Sequence, residues 1–117
     1  MIARSLQELK VWQRAIELAT VLYRLTQKFP REEIYGLTSQ LRRAGVSVAS
    51  NIAEGYGRGS RAAYRNFLWI ARGSVLEIQT QLVIAREMKF GEEHYLRRAE
   101  EVAEETSKML WAIAQKL

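Results

Sequence analysis

Between Tyr64 and Ala85 apolar side chains recur at Tyr64, Phe67, Leu68, Ala71, Val75, Ile78, Leu82 and Ala85, in steps of three and four residues. Only an α-helix gathers that spacing onto one face, and a regular heptad row of this kind packs against other helices at about +20° in bundles. The pattern predicts a helix from about Ser60 to Met88. It also obliges the rest of the chain to supply partner helices.

Three other stretches can do so. The first helix is expected from Ser5, where SLQE has the form of a capping box with Glu8 returning to the N-cap amide, to Lys28, just before Phe29 and Pro30. It carries two rows: Val11, Ala15, Leu18, Leu22, Leu25 and Phe29, and, ~110° round the axis, Leu9, Trp12, Ile16, Ala19 and Tyr23, so two of its sides need cover. The second is expected to start between Arg31 and Gly36, where Glu32 and Glu33 suit the positive end of the dipole, and to reach Glu54. Its core row is Ile34, Leu37, Leu41, Ala44, Val48 and Ile52, and the small residues Ala44, Gly45, Ser47, Ala49, Ser50 and Ala53 let neighbouring backbones approach. The fourth, about Glu92 to Gln115, follows a break at Lys89, Phe90 and Gly91 and offers Ala99, Val102, Ala103, Thr106, Met109, Leu110 and Ile113. Short connections make consecutive helices antiparallel neighbours.

Two features admit more than one reading. The polar row Gln40, Arg43, Ser47, Ser50, Asn51 and Glu54 is either a solvated face or, at Ser47, Asn51 and Glu54, a set of hydrogen bonds to a neighbouring helix or subunit. Glu54 invites the second reading, since a carboxylate in the last helical turn meets the unfavourable end of the dipole. In the turn GYGRGS, Gly55 is placed to cap one helix, Gly57 and Gly59 permit positive φ and Ser60 is placed to cap the next. Alternatively its amides, with Arg58 and Arg61, form a cradle for phosphate.

The chain of 117 residues, 48% hydrophobic, suits one domain spanning residues 1–117. No cysteine is present, which removes disulfides and thiolate chemistry and agrees with a reducing cytoplasm. Apolar runs fall far short of the ~20 residues that cross a bilayer, and MIARSLQELK has no apolar signal core. A cytoplasmic chain with no membrane partner is expected. Charge is uneven. Arg42, Arg43, Arg58, Arg61, Arg65 and Arg72 face only Glu54 between positions 42 and 72, so this segment carries the whole formal excess of +5, while six glutamates and two arginines make Glu92 to Glu105 locally acidic.

Four motifs, VWQRAIEL at Val11–Leu18, FPREEIYGL at Phe29–Leu37, QLRRAGVSVASNIAEGYGRGS at Gln40–Ser60 and FLWIARGSVLE at Phe67–Glu77, occur in order over nearly the whole chain. In them the sequence resembles bacterial four-helix-bundle proteins of the 23S rRNA intervening-sequence type, with Gly45 standing where the family's LRRAA has a second alanine. The resemblance implies an all-α fold, a left-handed up-and-down antiparallel four-helix bundle, assembled as a ring-shaped homo-oligomer, typically a pentamer. It implies no catalytic residues and a poorly defined role.

Catalytic chemistry finds little support in the residues. A di-iron bundle needs Glu-x-x-His on two helices, whereas the single histidine, His94, has Gly91 three residues before it. Ser47, Ser50, Ser60 and Ser74 have no histidine base at readable spacing. The expectation is a non-enzyme with no cofactor and no metal site. Two hypotheses follow. In the first, Arg42, Arg43, Arg58, Arg61, Arg65 and Arg72 meet the phosphates of RNA or another nucleic acid while Trp69 or Tyr56 stacks on unpaired bases. In the second, the chain is a protein-interaction scaffold whose arginines pair with the acidic fourth helix of a neighbouring subunit. Under either, Trp12, Trp69, Leu76 and Val83 form apolar rows that one bundle cannot hide, and they are the expected oligomer interface.

Overall fold

The computed structural model describes residues 5–117; residues 1–4, part of the stretch MIARSLQELK discussed above, lie outside the described residues. Four helices account for most of it: α1 Lys10–Thr26, α2 Leu37–Gly57, α3 Arg61–Met88 and α4 Glu93–Lys116. Short 3-10 turns at Leu6–Glu8 and Arg31–Glu33 precede α1 and α2, and no strand occurs among the described residues. At 1.5 Å per residue the 28 residues of α3 span ~42 Å. The longest dimension of the molecule is 43 Å, so α3 sets its length.

Each helix packs against two others, in the cyclic order α1, α2, α3, α4. Side-chain pairs across every seam show antiparallel neighbours, because one residue number falls as the other rises. Arg42 meets Thr26 while Gly45 lies against Ala19 and Leu22. Gln40 meets Gln81 while Ser47 meets Ser74. Arg86 meets Glu100 while Trp111 meets Trp69. Arg14 meets Glu105 while Glu17 meets Arg98.

The core is the set of rows the periodicity picks out. Val11, Ala15, Leu18, Leu22, Leu25 and Phe29 of the first helical region are all buried, as are Leu68, Ala71, Val75, Ile78, Leu82 and Ala85 of α3. Tyr64, Met109 and Ile113 are partly buried at its edge. Ile34 departs from the expected core row of α2. It stands in the turn after the second 3-10 segment with 52% of its surface exposed, because α2 begins only at Leu37. The carboxylate of Glu33 accepts from the Leu37 amide at 3.0 Å, supplying the cap at the positive helix end.

The first helix also starts later than SLQE suggests. Ser5 makes no side-chain cap, and Leu9, with ψ of 114°, breaks the 3-10 turn from α1. The break lets Leu6 join Trp12, Ile16 and Ala19 along the apolar groove between α1 and α2, so packing outweighs the local capping signal. At the far end Lys89 adopts a left-handed φ of 60°, and the amides of Phe90 and Lys89 donate to the carbonyls of Ala85 and Arg86. That is a Schellman closure with lysine where glycine is usual.

Gly55 is the largest correction in the turn. It is not a cap: α2 runs on to Gly57, and Gly55 is buried where a Cβ would lie 2.6 Å from the Cβ of Phe67. Its role is to let α3 come close to α2. Only Gly59 needs its conformational freedom here, with φ of 80°, and the hydroxyl of Ser60 accepts from the Ala63 amide as the cap of α3. Gly45 acts like Gly55 at the α1 seam, where a Cβ would meet Leu22 Cδ1 at 3.0 Å.

These packing differences separate glycines that look alike in sequence. Gly55→Ala should lower the thermal midpoint by forcing α2 from Phe67. Gly73→Ala, in the middle of α3 with nothing within 4 Å, should stabilise by ~0.4–1 kcal/mol through the unfolded chain. Leu82→Ala, in the fully packed row, should cost ~2–5 kcal/mol in denaturant melts.

Candidate nucleic-acid interface

The arginines singled out by charge do not form one patch, because α2 and α3 are each gripped on two sides. Arg42 and Arg43 leave α2 ~100° apart and reach different neighbours. Arg42 turns to α1, where its Nε donates to Thr26 Oγ1 at 2.8 Å and its guanidinium lies 4.7 Å from the centre of the Tyr23 ring. Arg43 belongs to the row of Gln40 and Ser47, which faces α3, and is exposed without a hydrogen-bond or ionic partner among the described residues. That row is partly a seam rather than a solvated face: Ser47 and Ser74 hydroxyls are 3.0 Å apart and Asn51 Nδ2 donates to Ser47. Glu54 is compensated locally by Arg58, four residues on.

On α3, Arg61, Arg65, Arg72 and Arg86 share the side turned to α4. Arg61 donates to the Lys116 carbonyl at 2.8 Å near the C-terminal end of α4, where a cation suits the helix dipole. Arg65 is exposed and has no partner among the described residues. Arg72 is half-buried, its guanidinium 5.1 Å from the centre of the Trp111 ring. Arg86 is held by Glu93 and Glu100 together, at 2.9 and 2.8 Å. Arg58, in the turn, lies 5.1 Å from the Phe67 ring as well as on Glu54. The turn does not gather Arg58 and Arg61 about a common point: one is bound back to α2, the other to α4.

Trp69 packs edge-on against Trp111, ring centres 5.4 Å apart, at the α3–α4 seam. Trp111 is half-exposed and lies outside the rows that the periodicity marks. Its signal is a position eight residues after Ala103, on the α3 side of α4, a relation visible only once the seam is known. Leu76 and Val83 continue outward from Trp69, 45% and 61% exposed, with Ile84 and Met88 exposed nearby. Trp12 lies on the other side of the molecule in a groove of about 310 Å3 with Ile16, Val46, Ala49 and Ala53. The expected interface residues therefore divide between two opposite faces.

Among the described residues no group of three or more His, Cys, Asp or Glu side chains is arranged to hold a metal ion, and no helix is long and apolar enough to cross a membrane. Burial pushes the Tyr64 hydroxyl up, with Tyr56 adding to the effect. Glu93 is held below the usual carboxylate range, chiefly by its hydrogen bond from Arg86.

A family model described as 23S rRNA-intervening sequence protein matches residues 7–112. Among solved structures, the chain is similar to a protein of unknown function from the S23 ribosomal protein family of Bacteroides thetaiotaomicron VPI-5482, solved at 1.70 Å resolution. The TM-score is 0.78 at 22% identity, over 89% of this chain and 97% of that one. At that identity the likeness is one of fold. No curated protein matches the chain.

The Arg86 cluster has a defined pH signature. A carboxylate with a depressed folded-state pKa adds stability above its unfolded value, ~4.3 for Glu, and loses it as pH falls through the lower folded value. The Glu93 carboxyl should thus titrate below that value by carbon-13 NMR and rise toward it in Arg86→Gln, with Arg97 still holding part of the depression. The variant's melting temperature should also fall less on acidification than the wild type's.

Proposed function

This chain belongs to the 23S rRNA-intervening sequence protein family, and from that premise we propose that it is a non-enzymatic, oligomeric RNA-binding protein. One observation carries the reading: of the six arginines between positions 42 and 72, only Arg58 has a carboxylate partner among the described residues. Charge left unneutralised by the fold is available to phosphates. Arg65 and Arg61, one turn apart at the start of α3, supply the main anchor, with Lys116 beside them at the end of α4. Arg43 offers a separate free charge on the α2–α3 face, opposite the middle of α3.

The scaffold alternative, in which these arginines pair with a neighbour's α4, has fewer acceptors than the composition promises. Glu93 and Glu100 are engaged by Arg86 and Glu105 by Arg14, all within the chain. The observation favours a ligand that brings its own negative charge.

Self-association is the second part of the proposal. Leu76 and Val83 on one side and the Trp12 groove on the other are apolar surfaces of different shape, and unlike faces suit head-to-tail contact, which forms a ring where the rotation between neighbours closes. A pentamer is the expected size, on the family resemblance. Repetition of a weak basic site around the ring would raise affinity through avidity.

Labelled single-stranded and structured RNA, titrated at several salt concentrations, tests the binding. The wild type should bind with a steep log-log salt dependence. Arg61→Ala with Arg65→Ala should flatten the slope by ~0.7–0.9 for each phosphate that is no longer neutralised. Absence of salt-sensitive binding by an intact oligomer would end the proposal. For assembly, Leu76→Glu with Val83→Glu should reduce the mass measured by light scattering without loss of helical content, and a monomeric wild type at micromolar concentration would contradict the ring.

A further inference from the structure

The row of cations on α3 meets different partners at its two ends, and the difference is written into α4 at heptad intervals. Glu93, Glu100 and Ser107 follow one another at seven-residue steps on the side of α4 that faces α3. The first two grip Arg86. Ser107, next in the series, brings no charge, and Arg72, two heptads before Arg86, has no carboxylate partner among the described residues. Its Nε is out of reach of solvent and has no hydrogen-bond partner. That atom is closed to any ligand, but Arg72 itself is only half-buried, and an oxyanion on the open part of its guanidinium would supply the counter-charge that the chain does not.

Next to Arg72 a cleft of about 340 Å3 opens, lined by Arg72, Ser107, Lys108 and Trp111. Trp111 presents 49% of its surface, and Trp69 braces its ring from the edge. Lys108 pairs with Glu104 at 3.3 Å, in a highly exposed contact that holds it weakly. Two cations, a hydroxyl and a half-exposed indole together match a phosphate attached to a flat aromatic group.

We propose that this cleft binds one nucleotide unit, its phosphate on Arg72, Ser107 and Lys108 and its base on the part of the Trp111 indole that Arg72 leaves open. The unit is either a free mononucleotide or an unpaired residue of an RNA strand. The strand form rests on the function proposed above, and the free form does not.

Calorimetric titration of the full chain with adenosine monophosphate, with inorganic phosphate and with a short oligoadenylate separates the cases. The monophosphate should bind more tightly than phosphate alone. Arg72→Gln and Trp111→Leu should each weaken it about tenfold or more. Ser107→Glu, which gives Arg72 the kind of carboxylate that Arg86 has, should abolish binding while helical content persists. If Trp111→Leu proves unfolded, Arg72→Gln decides. Monophosphate binding unchanged in folded Arg72→Gln overturns the cleft. Oligoadenylate binding that survives both substitutions, with no monophosphate binding, overturns the cleft and leaves the broader arginine surface standing. Monophosphate binding abolished by the substitutions, with no RNA bound by the wild type, supports the cleft and removes the RNA reading. No binding of either ligand overturns both.

Discussion

Burial of one apolar row on α3 is the constraint on which the remainder depends. Leu68, Ala71, Val75, Ile78, Leu82 and Ala85 can leave water together only if α3 is turned to one rotation about its axis. That rotation presents Phe67, Ser74 and Gln81 to α2 and Arg61, Arg72 and Arg86 to α4. Side-chain chemistry on the two seams follows from it. A helix rotated by one residue, ~100°, would bury arginines and expose the core, which no compensation available in this sequence could offset.

Within that rotation α4 determines what each arginine can do. Opposite Arg86 it places two carboxylates, which neutralise the cation and tie α4's first turns to α3's last. Opposite Arg72 it places a serine and a tryptophan, which leave the charge in place and give it an aromatic wall. Exposed ion pairs contribute modestly to stability, so the first arrangement serves orientation more than it serves the melting temperature. The second leaves the guanidinium without a counter-charge. One row of like residues thus has a neutralised end and a charged one.

The close approach of α2 to both neighbours depends on glycine at two places. Gly45 admits Leu22 and Ala19 of α1, and Gly55 admits Phe67 of α3. In the sequence both sit among small residues, and the richness of that segment in Ala, Gly and Ser is a readable sign of tight packing. Which glycine caps, which turns and which makes room is not readable, since all three uses tolerate the same residue. Gly59 turns, Gly55 makes room and Gly57 completes the helix.

Four helices, their approximate limits, the rows that form the core and the concentration of positive charge between Arg42 and Arg72 are legible in the chain alone, because periodicity and charge count are local properties of a helical segment. At Ser5 and Ile34 the local signals mislead, since the packing of Leu6 and the later start of α2 override an expected cap and an expected core position. Three-dimensional packing was needed to part Arg42 from Arg43, to neutralise Arg86 while leaving Arg65 and Arg72 charged, and to complete a cleft between Trp111 and Arg72. Those facts depend on which residues of different helices stand opposite one another. That register is set by the packing of whole helices across a seam and is carried by no single stretch of chain.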